Sequence, residues 1–488
     1  MLDVAHSFSQ GQIHTSPGAL PVEILAHIFS LGPQDGANIK FLVNVSHVST
    51  YWRAAVLGAS YLWWNVHVAP QMTDRATTWL KRSRNAPVRF CIWLRNLPEN
   101  QGLPVPAYLR HIEAMMDIVV MHMSRCKSLI LDRLQRIYAP FVYQRLRGVQ
   151  APILQSCSFG PLLVKPFPQF GDSLEHTDFP LSHLPMLRRL EFRNEQISTQ
   201  PPLFNLSTLR YVPGAAPHLS AHQVLVVLRD CPSLVNVEIQ WITADPTRDL
   251  HRVIVHRSSR DSVVVLPRLK SMLLDVDRLE AAAHIVKRIS IPSIEHLALH
   301  VSRTLHGVPD EDDIFRPSNF HDSVFPTLKG LEVDWFPGHF VECLLRKSPV
   351  LETFVMRQNP GSAALPIIDI LIPQAAPICP LLKSIYLFDC AQLTVHDIMC
   401  LVNAYASIKP PSNEVIFKDL SVFGLKWTGK VVGDEELVAV TPESLERINR
   451  CADKVVLDER IPNREAWRKR PLFIVPNPFD HMQLPFLA

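Results

Sequence analysis

Residues whose type and spacing could do chemistry are sparse in this chain of 488 residues. "GLKWTGKV" at 424–431 has the G-x-x-x-x-G-K spacing of a phosphate-binding loop. Such a loop needs Ser or Thr next, to hold magnesium. It also needs a helix that opens at once, so that backbone N–H groups face the phosphates. Val431 stands in that place, and "VVGDEELVAV" follows with three acids that repel a phosphate. His296 and His300 are four apart, but they fall in a segment that reads as strand and lack an H-E-x-x-H pattern. "HRVIVHRSSRD" (251–261) is a local basic cluster and "PDEDD" (309–313) an acidic one; both read as solvated loops. No G-x-S-x-G elbow occurs. The nine Cys are odd in number and contain no C-x-x-C pair, so they read as reduced thiols of an intracellular protein, not as a disulfide framework. The expectation is a non-enzymatic protein without cofactor or metal.

The elements that surround these residues must therefore carry the function. Lys plus Arg number 49 against 46 Asp plus Glu, a net charge of +3, which does not point to a general nucleic-acid binder. "MLDVAHSFSQGQIHT" has no basic run followed by an apolar one, so no signal peptide is expected. The most apolar long stretch, "AALPIIDILIPQAAPI", is broken by Pro366, Asp369 and Pro373, so no membrane span is expected. The expected location is cytoplasmic, nuclear or both.

Pro is abundant, at 41 residues against 17 Gly, and an internal repeat explains much of it. In "LPMLRRLEF" (184–192) a Pro is followed by apolar residues two, five and seven positions later. The same frame fits "CPSLVNVEI", "LPRLKSMLL", "IPSIEHLAL", "FPTLKGLEV", "SPVLETFVM", "CPLLKSIYL" and, with Cys157 in the fifth-offset slot, "APILQSCSF". The prolines lie at 152, 185, 232, 267, 292, 326, 349 and 380, spaced 23 to 47 apart. "LSTLRYV" (206–212) and "CKSLIL" (126–131) look like degenerate copies. Pro ends whatever helix precedes it. The last two apolar slots are two apart, which is strand spacing with both side chains on one face. Between copies, 220–230, 338–347 and 395–406 read as helices, the first with Ser220 as N-cap. A unit of helix, Pro turn and short strand cannot bury its apolar side alone and must stack on its neighbours. Beyond about 411 the repeat fades, and 441–455 reads as a helix capped by Thr441 with Pro442 at its first position.

Near the start, "LPVEILAHIFSLG" (20–32) is a short amphipathic helix pattern that begins with Pro21 and closes with Gly32. A second helical pattern runs through Phe41, Val45, Val48, Trp52 and Val56. A module of this size has trouble stabilising itself and often leans on a partner.

These residues carry a family resemblance. "LPVEILAHIF" resembles the opening L-P-x-E-I-L-x-x-I-F of an F-box, and "VSHVSTYWRAAVLGASYLWWNVHV" resembles its end, with Ser49 where Cys is usual and Ser60-Tyr61 before Leu62-Trp63 where Pro is usual. "ATTWLKRSRNAPVRFCIWL" (76–94) is similar to the segment that follows the F-box in many fungal, basidiomycete-like proteins. The Pro-led copies resemble leucine-rich repeats, "LKSIYLFDCAQLT" (382–394) best of all.

The resemblance implies that the F-box docks the Skp adaptor of a cullin ubiquitin ligase and that the concave side of the repeats recruits an unknown protein target. It places Leu20, Pro21, Ile24, Leu25, Ile28 and Phe29 at or beside the adaptor interface, with Val48 and Trp52 holding the other helices. The competing assignment buries all of them in the small helical core. The expected fold class is α/β (α+β overall): a three-helix F-box followed by an irregular leucine-rich-repeat-like solenoid. The expected order is a tail at 1–17, the F-box at 18–66, a connecting segment at 67–100, the solenoid at 101–410 and a capping region or tail at 411–488. The alternative function is a non-ligase interaction scaffold of leucine-rich repeats.

Overall fold

The computed structural model describes residues 20–32, 38–69, 72–93, 105–132, 138–160, 181–193, 203–212, 219–243, 263–301, 325–336, 338–357, 370–372, 378–388, 393, 395–408, 416–423, 446, 448–450 and 452–458. The P-loop-like 424–431, the basic 251–261, the acidic 309–313 and Cys390 lie outside these residues. The chain divides into two compact units, one up to Leu154 together with Leu181–His183, the other from Gln155 onward.

The first unit opens with three short helices, α1 (Val22–Ser30), α2 (Asn38–Ser46) and α3 (Thr50–Gly58), and a 3-10 turn at Ser60–Trp63. They enclose a core of Leu25, Ala26, Phe29, Leu42, Val45, Ala55, Val56, Leu62 and Trp63. Ser49 caps α3 by accepting a hydrogen bond from the backbone N–H of Trp52 at 3.1 Å, which satisfies a helix-end donor. A Cβ at Gly32 would lie 2.5 Å from the Phe41 ring, so a larger residue there would force that ring to move.

Three parallel strands follow: β1 (Asn65–Val68), β2 (Val88–Trp93) and β3 (Cys126–Asp132), ordered in sequence, with Val66 beside Phe90 and Phe90 beside Leu129. Parallel neighbours need crossovers. These are α4 (Thr73–Ser83) and α5 (Val105–Met121). Arg125 closes the C-terminal end of α4 by donating to the carbonyls of Ala86 at 3.0 Å and Leu80 at 3.2 Å. The Arg82 guanidinium of α4 stacks over the Trp63 ring at 4.4 Å. Helix α6 (Ala139–Leu146) and the short pair β4 (Val149–Gln150) and β6 (Leu181–Ser182) complete the unit.

The second unit is built on a parallel, open ladder. In order it runs β5 (Ser156–Phe159), β7 (Arg189–Arg193), β8 (Thr208–Val212), β10 (Asn236–Thr243), β12 (Ser271–Val276), β14 (His296–Val301), β15 (Gly330–Asp334), β16 (Thr353–Arg357), β17 (Ser384–Phe388), β18 (Phe417–Phe423) and β19 (Ala452–Asp458). Short strands β9 (Leu219–Ser220), β11 (Val264–Val265) and β13 (Ile289–Ser290) lie off this row, β9 on β10 and β11 on β13. Helices α7 (Ala221–Arg229), α8 (Leu279–Val286), α9 (Gly338–Arg346) and α10 (Val395–Ile408) are the described crossovers. Ser220 caps α7 in a capping box with Gln223, as its position predicts.

The repeat frame is the register of this ladder. In all eight Pro-led copies a strand begins four residues after the Pro, and the apolar residues at offsets two, five and seven are buried. The residue before each Pro accepts a hydrogen bond, at 3.1 to 3.3 Å, from the N–H of the apolar residue at offset two. Each copy is thus a β-turn with Pro at its second position, where a fixed φ suits the turn. Equivalent residues pair in one row: Ser156, Arg189, Thr208, Asn236, Ser271, His296, Gly330, Thr353 and Ser384, each the first of its strand, then Asp419 and Lys454, each the third. One carbonyl per copy accepts two N–H groups of the next; that of Glu295 takes Lys329 and Gly330, and that of Lys329 takes Glu352 and Thr353.

Two expectations change here. Residues 446 and 448–450 are helical, as expected within 441–455, but the helix stops before Ala452, where β19 begins in register with β18. The frame also continues past 411, since Phe417, Leu420 and Val422 fill the buried slots of β18 without a Pro.

Candidate functional site

Helix α1 carries two apolar stripes. Leu25 (2% exposed), Ala26 and Phe29 (3%) point into the helical core. Pro21, Ile24, Ile28 and Leu31, at steps of three and four, form the opposite stripe, with Ile24 47%, Ile28 45% and Leu31 72% exposed. Val43 of α2 and Val48, in the turn before α3, are exposed as well, Val48 to 61%. Five large aliphatic side chains on a few helical turns thus face solvent, and burying one fully is worth roughly 1.5–3 kcal/mol. Such a patch on a small domain marks an interaction surface.

The residues expected at this surface divide accordingly. Leu25 and Phe29 are corrected to core, because the pitch of α1 turns them inward onto Leu42, Ala55 and Trp63. Leu20 is partly buried against that core, and its carbonyl accepts a hydrogen bond from the Tyr51 hydroxyl at 2.7 Å. Trp52 is half-buried and packs on Phe29 with ring centroids 5.2 Å apart. Val48, expected to hold helices together, is exposed instead. Leu31 and Val43 were not singled out from the sequence. Leu31 extends the Ile24–Ile28 steps by three residues, and that spacing is its signal in the sequence.

The face of the ladder opposite its apolar slots carries two polar clusters. On β5, β7, β8 and β10, Glu191 accepts from the Ser158 hydroxyl at 3.2 Å and lies 3.4 Å from the Arg210 guanidinium, which also pairs with Glu238 at 2.9 Å. On β14, β15 and β16, Glu332 is fully buried and its Oε1 meets His300 Nε2 at 3.1 Å and Arg357 Nη2 at 2.8 Å. Asp334, also buried, lies beside His300 and Arg357 in the register. Burial opposes protonation of His300, but the hydrogen bond to Glu332 and the charges of Glu332 and Asp334 outweigh it and hold the imidazole pKa above its ordinary value. His296 and His300 share this face of a strand, as their even spacing requires. Among the described residues no group of three or more His, Cys, Asp or Glu is placed to hold a metal. Burial pushes the thiols of Cys126, Cys231 and Cys379 up to about 12, which leaves them protonated and unreactive. Among the described residues no helix is long and apolar enough to cross a membrane.

Residues 18–69, which span α1 to β1, match the family model described as F-box-like. The chain therefore carries an F-box-like domain, and the exposed stripe of α1 lies within it. No curated protein matches the chain.

Proposed function

We propose that this chain is the target-recruiting subunit of a Skp–cullin–F-box ubiquitin ligase, of the fungal type with leucine-rich-repeat-like strands. The F-box-like match supports the general assignment, and the observation that carries it is the outward stripe of Pro21, Ile24, Ile28 and Leu31. The helical module has its own core, so this second stripe is not needed for folding and is free to meet the Skp adaptor. The adaptor links the chain to a cullin, and the strand array holds an unknown protein target. The mechanism is proximity: tethering raises the effective concentration of the target near the ubiquitin-loaded enzyme, and no residue of this chain does chemistry. The proposed location is cytoplasmic, nuclear or both.

The test is co-purification of the full chain with a Skp adaptor. A stable complex that is lost in the double variant Ile24→Asp, Ile28→Asp supports the reading. Folded chain that never binds the adaptor refutes it and leaves the interaction scaffold.

A further inference from the structure

The strands of the first unit have two unlike faces. Val66, Phe90 and Leu129 lie on one, and alternation puts Asn65, His67, Arg89, Cys91 and Ser128 on the other. Right-handed crossovers set α4 and α5 on a single side. They pack on each other, and α6 packs on α5, over the apolar face. The polar face is nonetheless sealed: Asn65 is 3%, His67 8%, Arg89 7%, Cys91 2% and Ser128 9% exposed. Among the described residues β1 is the end strand of its row, so a neighbouring strand shields Asn65 and His67 on one flank alone. In the second unit the face opposite the apolar slots stays partly open, with the Arg210 side chain 22% and that of Glu238 26% exposed. Trp93 stacks edge-on to His67 at 5.3 Å, and Arg89 lies 5.8 Å over the Trp64 ring. Two half-buried rings do not cover five side chains on three strands.

The cover must therefore come from outside the described residues. The compact unit that holds β1–β3 also takes in Pro476–Ala488. "PNPFDHMQLPFLA" carries Phe479, Met482, Leu484, Phe486 and Leu487, five large apolar side chains in thirteen residues. That compares with five in nineteen for 1–19 and three in eleven for 94–104. Prolines at 476, 478 and 485 withhold the N–H groups that a helix or a central strand needs, which leaves extended chain. Extended chain offers its backbone carbonyls as acceptors to the donors of the polar face, while its apolar side chains exclude water. Its one acidic side chain, Asp480, is opposite in charge to Arg89.

We infer that residues 476–488 fold back as an extended strap over the face of β1–β3 that carries Asn65, His67, Arg89, Cys91 and Ser128. The strap reserves this face for the chain itself and denies it to a target. The inference does not depend on the adaptor reading. Two thiols test it: Cys91 lies on the strapped face, and the fully buried Cys126 reports unfolding of the unit. The full chain and a chain that ends at Val475 are alkylated with iodoacetamide under native conditions, and peptide mass spectrometry follows both thiols. Removal of the strap should speed labelling of Cys91 roughly tenfold or more, since a local opening is no longer required, and leave Cys126 protected. A synthetic 476–488 peptide added in trans should slow Cys91 again, whereas the same peptide with Phe479→Asp and Phe486→Asp should not. If both thiols label, the shortened chain has unfolded. The full-length double variant Phe479→Asp, Phe486→Asp then takes its place and should expose Cys91 with Cys126 still protected. Equal protection of Cys91 with and without the strap, no slowing by the peptide, or joint labelling of Cys91 and Cys126 in the double variant overturns the inference.

Discussion

Ile24 and Leu25 are neighbours of similar size and hydrophobicity, yet they have opposite roles. Leu25 closes the helical core, so Leu25→Asp should unfold the module, whereas Ile24→Asp should leave the melting temperature unchanged within a degree or so. Circular dichroism melts of the two variants check this. The sequence showed apolar residues at helical steps through α1 but not which half faces out, because both stripes are apolar and the rotation of the helix is set by α2 and α3. His300 gives a second prediction at this scale. Its pKa is raised on folding, so its stabilising contribution is complete below the unfolded value of 6.5 and is lost as pH rises through the folded value. Urea midpoints should therefore fall on the alkaline side of pH 6.5, and His300→Gln should remove that fall. His122, His284 and His296, whose pKa values are lowered, act in the opposite sense and only below 6.5. An unchanged alkaline slope in His300→Gln would contradict the role given to Glu332.

The repeated turn and strand separate what Pro does from what the apolar slots do. In the copy led by Pro292, Ile294 is fully buried while the ring only presets a turn that Phe204 also makes in the copy ending in β8. Pro292→Ala should cost ~1 kcal/mol or less and Ile294→Ala about 2–5 kcal/mol, measured by denaturant unfolding. The reverse order would mean that the turn, not the buried slot, holds the unit. The same separation explains which copies were legible in the sequence. Eight were visible because Pro marks the turn, and β8 was visible in degraded form. Strands β18 and β19 were not, because their apolar slots stand without a Pro and short apolar runs fit helix or strand equally. The register across the ladder and the clusters around Glu191 and Glu332 were beyond reach, since they depend on which strand lies beside which. Arg357→Met should destabilise the second unit by about 3 kcal/mol or more, because it removes a cation from a buried carboxylate. A melt shift near zero would show that His300 alone satisfies Glu332.

For the molecule as a whole, the function rests on an F-box-like module that exposes apolar side chains and a long parallel ladder with no catalytic constellation among its described residues. The most direct measurement is a calorimetric titration of the full chain with a purified Skp adaptor, repeated with Ile24→Asp, Ile28→Asp. The account predicts a one-to-one complex for the unaltered chain. In the folded double variant, affinity should fall about 30-fold or more, the loss of roughly 2 kcal/mol expected for truly anchoring side chains. Heat-silent mixing with the unaltered chain, or equal affinity in the double variant, would contradict the account.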